Sequence, residues 1–190
     1  RKAERLESLI NEFFEITRFS THKLSLEPAK TNLSRMLMQI TYEFHPILTE
    51  KNLEWDLQIP ENIEIVCDRD KLERAIDNLI RNAINYSYAG TTIFFSLTQL
   101  DEQVRICVQN KGQTIPPEKL ERIFEQFYRL DAARSSDTGG AGLGLAIAKE
   151  IIELHHGTIS AHSENETIQF LVQLPLDCQK NVRSSSERNH

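Results

Sequence analysis

Apolar residues recur along this chain with two different periods, and the switches between them mark out its elements. Near the start, Leu6, Leu9, Ile10, Phe13, Phe14 and Ile16 fall three or four apart, which predicts an amphipathic helix over 1–20. A helix so apolar on one side needs a partner to cover it. "KLSLEPAKTN" (23–32) alternates like a strand, with Pro28 suited to an edge or a strand end. The helical period returns over 33–50. "LEWDLQI" (53–59) and "IEIVC" (63–67) alternate again. A third helix is expected from Asp70 to Tyr86, with Glu73 three residues on as its capping-box partner. "TTIFFSLTQL" and "QVRICVQN" form a hairpin across Asp101-Glu102. Pro116-Pro117 opens a short helix, 143–155 forms a longer one, and "GTISAHS" and "TIQFLVQL" finish as a strand pair. The polar ending "NVRSSSERNH" reads as a disordered tail. Strands joined by hairpin-length turns, with helices interspersed, predict a helical layer on a mixed or antiparallel sheet.

Composition narrows the class. The chain has 190 residues, 39% hydrophobic and 26% charged, with a formal charge of −6. That is enough chain for one packed domain with an appendage. No apolar run approaches the roughly 18 residues of a membrane span. The acidic balance argues against general nucleic-acid binding. Cys67, Cys107 and Cys178 are odd in number and widely spaced, as expected of reduced thiols rather than of a metal site or disulfide framework. The chain opens at Arg1 without a Met, as a fragment of something longer would.

Two stretches carry chemistry. "DTGGAGLGLAIAKEII" places Gly139, Gly140, Gly142 and Gly144, four of the seven glycines, just before and within the first turn of a helix. Glycine lets backbone approach a ligand and reach positive φ. The outward-pointing first N–H groups and the helix dipole there favour phosphates. No Gly-Lys-Ser/Thr follows, so this is not a P-loop, and no strand precedes it, so it is a poor dinucleotide fingerprint. The second stretch is "ERAIDNLIRNAINYS". Leu72, Ala75, Ile76, Leu79, Ile80 and Ala83 make its buried side, while Asn78 and Asn82 share another face that Asn85 and Tyr86 continue. Asparagine is a mediocre helix former. Its side-chain oxygen can ligate a hard cation such as Mg²⁺.

Three segments in order resemble a family. "DNLIRNAINYS" is similar to the N box of sensor histidine kinases, "VQNKGQTIPPEKLERIFEQFYR" to their first glycine box and F box, and "GGAGLGLAIAKEII" to their second glycine box. "EFFEITR" and "FYRLDAARSSDTGGAGLGLAIAKEII" most resemble the vancomycin-resistance sensor kinases. The resemblance implies a Bergerat-type ATP-binding α/β (α+β) two-layer sandwich, with a mixed sheet of about five strands, three helices and an ATP lid. It implies ATP and Mg²⁺ as ligands. Asn82 would be the main Mg²⁺ ligand with Asn78 assisting, and Arg129 would reach the phosphates; these three form the implied catalytic set. Tyr86, Asn110, Gly112, Ile115, Gly140, Gly142, Leu143, Gly144 and Thr167 would bind the nucleotide, with Asn110 and Gly112 at the adenine. The lid would span about 113–140, anchored by Phe124 and Phe127.

Four positions depart from the pattern. Asn110 stands where an Asp is usual, Thr114 where the second glycine of its box is usual, Asn85 where a Lys commonly precedes the Tyr, and Glu166 where a Gly precedes Thr167. Weaker nucleotide binding is the expectation. A gyrase-type hydrolase of this fold needs a Glu as general base at the position of Asn78, and an amide cannot take a proton. Phosphoryl transfer needs mainly positioning and charge neutralisation, so kinase is the better reading; a gyrase-like hydrolase and a nucleotide-free interaction module are the alternatives. None of His22, His45, His155, His156, His162 and His190 sits in the family's phosphoacceptor setting. The implied organisation is a remnant of the second dimerisation-domain helix over 1–22, the catalytic ATP-binding domain over 23–178 and a tail over 179–190. The implied partners are the chain's own phosphoacceptor domain in a homodimer and a cognate response regulator, in a cytoplasmic part of a membrane protein attached only through upstream segments.

Overall fold

The structure, a computed structural model, describes residues 25–129 and 142–179. The helix predicted over 1–20, the tail, His22, His190, Gly139 and Gly140 lie outside the described residues.

Strand β1 (Ala29–Asn32) begins immediately after Pro28, not at residue 23 as the alternation suggested. Proline has no N–H to give to a ladder, so pairing starts one residue later. β1 runs antiparallel to β3 (Glu64–Cys67) as a separate two-stranded sheet. Asn32 also caps helix α1 (Leu33–Glu43), its side chain accepting from the Arg35 N–H at 2.8 Å. The single helix expected over 33–50 is broken at Phe44, and α2 (His45–Glu50) follows with Pro46 in its first turn. Proline has no N–H to donate to the carbonyl four residues back, so the hydrogen-bond ladder is interrupted and the helix restarts there.

The main sheet has five strands in the order β2-β4-β5-β7-β6. β2 (Glu54–Gln58) lies parallel to β4 (Thr92–Leu100). β4, β5 (Gln103–Lys111), β7 (Thr167–Pro175) and β6 (Thr158–Glu164) are antiparallel neighbours. The expected mixed sheet is therefore present, with β2 as its parallel member. Every second residue of β4, β5 and β7 is buried under the helices: Ile93, Phe95 and Leu97; Val104, Ile106 and Val108; Ile168, Phe170, Val172 and Leu174. That alternation is the signature of a two-layer fold with one covered face.

Helix α3 (Arg69–Tyr86) and helix α5 (Gly144–Leu154) pack against each other over this face. α3 buries Leu72, Ala75, Ile76, Leu79, Ile80, Ala83 and Ile84. Its cap is Asp68, not Asp70: the Asp68 carboxylate accepts from the Lys71 N–H, and Glu73 pairs instead with Arg69 at 3.7 Å. Between β5 and α5 come the short helix α4 (Pro117–Leu120) and a single 3₁₀ turn at Arg122–Phe124. All three cysteines are free and buried. Burial pushes the Cys67 thiol up to about 11, so it stays protonated at neutral pH.

Candidate functional site

The polar face of α3 and the start of α5 meet at one cavity of about 590 Å³. Asn78, Asn82, Asn85 and Tyr86 line it from α3, and Gly142 and Gly144 from the other side. The approach is close: a β-carbon on Gly144 would lie 3.3 Å from the Asn78 side-chain oxygen. Glycine there lets the first turn of α5 lie against the amide row. Gly142 has a second reason to be glycine. Its φ is +77°, and a β-carbon would come within 3.0 Å of the Tyr128 carbonyl. Its own carbonyl accepts from the Phe127 N–H at 3.0 Å. Backbone on both sides of residues 130–141 is thereby joined, and Arg129 is held at the cavity.

The far ends of the two helices are joined by His155 at the end of α5. It is 1% exposed. The Asp68 N–H donates to its Nε2 at 3.0 Å. Nε2 must therefore be the bare nitrogen, so Nδ1 carries the proton and donates to the Ile151 carbonyl at 2.7 Å. Burial lowers the pKa of this imidazole and keeps it neutral, although the Ile151 carbonyl and the Asp68 charge pull the other way. Burial also opposes ionisation of Asp68. The Glu27 N–H and the Lys71 ammonium and N–H outweigh that and hold its carboxyl below the usual range.

Of the expected site residues, Asn78, Asn82, Tyr86, Ile115, Arg129, Gly142 and Gly144 line the cavity. Four others do not. The Leu143 side chain is 1% exposed and packs into the core. Thr167 Oγ1 accepts from Lys111 Nζ at 2.7 Å and donates to the Asn165 carbonyl. Gly112 sits beneath the end of α3, where a β-carbon would fall 2.2 Å from the Tyr86 carbonyl oxygen. Asn110 is 1% exposed, and neither its nitrogen nor its oxygen has a hydrogen-bond partner among the described residues. A buried amide unsatisfied at both ends is uncommon and calls for a ligand or a reason; Asn78 Nδ2 is a third such atom. Gly140 lies outside the described residues. Of the two expected lid anchors, Phe124 packs edge-on against Phe170 with centroids 6.4 Å apart. Phe127 does not anchor by burial: its ring is 59% exposed, and its backbone, at φ +63°, makes the attachment.

Two departures from the expected pattern turn out to be one contact. Thr114 Oγ1 accepts from the Glu166 N–H at 2.9 Å, and the Glu166 carbonyl accepts from the Gly112 N–H. The β6–β7 turn is thus fastened to the loop that forms one wall of the cavity.

Sequence reasoning missed Arg74, Lys119 and Tyr128, which also line the cavity. Arg74 stands four before Asn78, so the row 74, 78, 82 was legible as one helix face. Lys119 and Tyr128 are brought in by the path of the loop, which carries no periodic signal. Among the described residues no carboxylate lines the cavity. The wall chemistry is amide oxygens, cations and the apolar side chains of Ile115, Ile147 and Phe170. Such a site suits an anion attached to a flat apolar ring, with amide oxygens for a hard cation.

Residues 67–177 match the family described as histidine kinase-, DNA gyrase B-, and HSP90-like ATPase. The sensor protein VanSC of Enterococcus gallinarum is 51% identical over 92% of this chain and 48% of its own length. Sensor protein VanS of Enterococcus faecium is 47% identical over 92% of this chain and 45% of its own. The chain thus spans about half the length of these curated relatives. The catalytic domain of histidine kinase ThkA superposes with a TM-score of 0.73 at 25% identity, covering 82% of this chain and 99% of that one.

Proposed function

The chain belongs to the histidine kinase-, DNA gyrase B- and HSP90-like ATPase family, and from that premise we propose that it is the catalytic ATP-binding domain of a sensor histidine kinase of the vancomycin-resistance type. It binds Mg-ATP and passes the γ-phosphoryl group to a histidine on a dimerisation domain, for relay to a response regulator. The observation that carries this reading is the meeting of Asn78 with Gly144 at one cavity, with Arg129 held beside them.

In this reading the side-chain oxygens of Asn82 and Asn78 hold Mg²⁺, a hard cation that prefers oxygen donors. Bound there, the ion would supply positive charge to offset that of the phosphates. Arg129 offers a planar fork of donors to phosphate oxygens. Tyr86, Ile115 and Ile168 provide the apolar surface for the base, and Asn110, paired across the strands with Ile168 although not itself on the cavity wall, keeps an unpartnered amide that would supply the polar contact selecting it. The group facing Gly144 in the cavity is the side-chain amide of Asn78, which cannot take a proton from an attacking water. That favours transfer over hydrolysis. The described histidines support a separate acceptor. His155 is buried and hydrogen-bonded at both nitrogens, and none of His45, His155, His156 and His162 lines the cavity. The described residues include no helix long and apolar enough to cross a membrane, and a cytoplasmic setting below a membrane-anchored sensor is part of the proposal. So is the division into a helix remnant over 1–22, the catalytic domain over 23–178 and a tail.

Isothermal titration with a non-hydrolysable ATP analogue, with and without Mg²⁺, tests the binding claim. Binding that strengthens with Mg²⁺, together with slow phosphate release from ATP and phosphorylation of a separately supplied acceptor hairpin, is the expected result. No heat under either condition refutes it.

A further inference from the structure

Lys51 follows α2 and reaches across to α3, where its Nζ donates to Asn85 Oδ1 at 2.9 Å. Asn85 lines the cavity. Resting on the nucleotide reading, we propose that Lys51 is a polyphosphate-binding residue, its ammonium delivered to the cavity rim by Asn85.

Three observations point the same way. First, the placement is built. Asn52 turns the chain at φ +53°, and its carbonyl accepts from the Gly90 N–H at 2.7 Å. The Lys51 N–H donates to the Ile47 carbonyl at 3.1 Å. The base of the side chain is thereby fixed beside the segment that leaves α3.

Second, the charge is not cancelled. On α3, Arg69 is held by Glu73 at 3.7 Å, Lys71 by Asp68, and Arg81 by Asp77 at 2.6 Å, a carboxylate in every case. Lys51 has no carboxylate within ion-pair distance among the described residues. Its partner is a neutral amide, which fills one of three donors and leaves two for an anion.

Third, Arg81, the cation four residues before Asn85 on α3, is already engaged. Arg81 also lines the cavity, but both Asp77 oxygens take its guanidinium, which lies 5.0 Å over the Phe44 ring. Lys119 and Arg129 stand on the loop wall. A triphosphate lying between the walls would meet cations from the loop on one side and Lys51 on the other. Asn85 thus holds at the cavity a lysine that comes from a different element.

The test is a set of titrations on the chain with a non-hydrolysable Mg-ATP analogue, adenosine and inorganic tripolyphosphate. Lys51→Gln should weaken the analogue and tripolyphosphate about fivefold at low salt, the upper end for an exposed charge pair. The loss should shrink at high salt, and adenosine affinity should not change. Adding Asn85→Lys to Lys51→Gln should restore analogue affinity, because the cation then comes from α3 directly. Thermal melts of both variants should match the unaltered chain. Equal affinity of Lys51→Gln and the unaltered chain for tripolyphosphate and the analogue overturns the inference, and so does an equal loss for adenosine. If the unaltered chain binds none of the three, the nucleotide reading falls instead.

Discussion

Replacing His155 by Leu removes the acceptor that joins the two site helices while roughly preserving volume. The cost follows from what is left behind. The Ile151 carbonyl keeps a partner, because the backbone N–H of residue 155 already donates to it at 3.2 Å. The Asp68 N–H keeps none: it is buried, and His155 Nε2 is its acceptor. An orphaned buried donor costs about 1–3 kcal/mol, a large part of a stability of about 5–15 kcal/mol. The pH dependence has a fixed sign. Burial holds the folded His155 pKa below its ordinary 6.5, so below that value the unfolded chain takes up a proton that the folded chain refuses. The stabilisation from a neutral His155 is complete above 6.5 and is lost as pH falls through that value towards the folded one. A leucine does not titrate. Asp68, Glu150 and the thiols contribute nearly equally to both proteins and cancel in the comparison. Urea unfolding followed by circular dichroism at about pH 7.5 and about pH 5.5 should show the variant less stable at the higher pH and the gap narrowing at the lower. A gap that stays constant or widens on acidification, or no destabilisation at the higher pH, would refute the tautomer and burial assigned to His155.

Three further substitutions separate folding from binding. Gly112→Ala drives a β-carbon to 2.2 Å from the Tyr86 carbonyl; the backbone must move, and thermal unfolding should register a loss of about 1–3 kcal/mol. Gly144→Ala gains helix propensity of up to about 1 kcal/mol but presses on the Asn78 amide from 3.3 Å. Its melting temperature should hold or rise while nucleotide affinity falls, and parallel movement of the two would contradict the close fit of those segments. Asn82→Ala should leave stability within about 0.5 kcal/mol and abolish the Mg²⁺-dependent part of analogue binding in calorimetry.

Much of this architecture is legible because the controlling signals are local and periodic. The alternation in 92–100, 103–111 and 167–175 gave the central strands, and the spacing of Leu72, Ile76, Leu79 and Ala83 gave the buried side of α3. The amide row and the glycine turn were visible as chemistry before anything placed them together. Other features were hidden because long-range contacts decide them. Asp68, rather than Asp70, caps α3 because its other carboxylate oxygen also takes the Glu27 N–H at 2.9 Å. Thr114 and Glu166 looked like two separate losses and are one hydrogen bond across 52 residues. Leu143 and Thr167 belong to recognisable motifs, but one side chain turns into the core and the other is taken by Lys111. Motif membership places a residue near a site without saying which way its side chain points.

The central claim is that the amide face of α3 and the start of α5 hold one chelated nucleotide. Amide chemical-shift mapping of the ¹⁵N-labelled chain during titration with a non-hydrolysable Mg-ATP analogue tests it most directly. The largest shifts should fall together on Asn78–Tyr86, Ile115 and Gly142–Leu145. Shifts confined to one of these segments, centred elsewhere on the sheet, or absent at saturating ligand would contradict it.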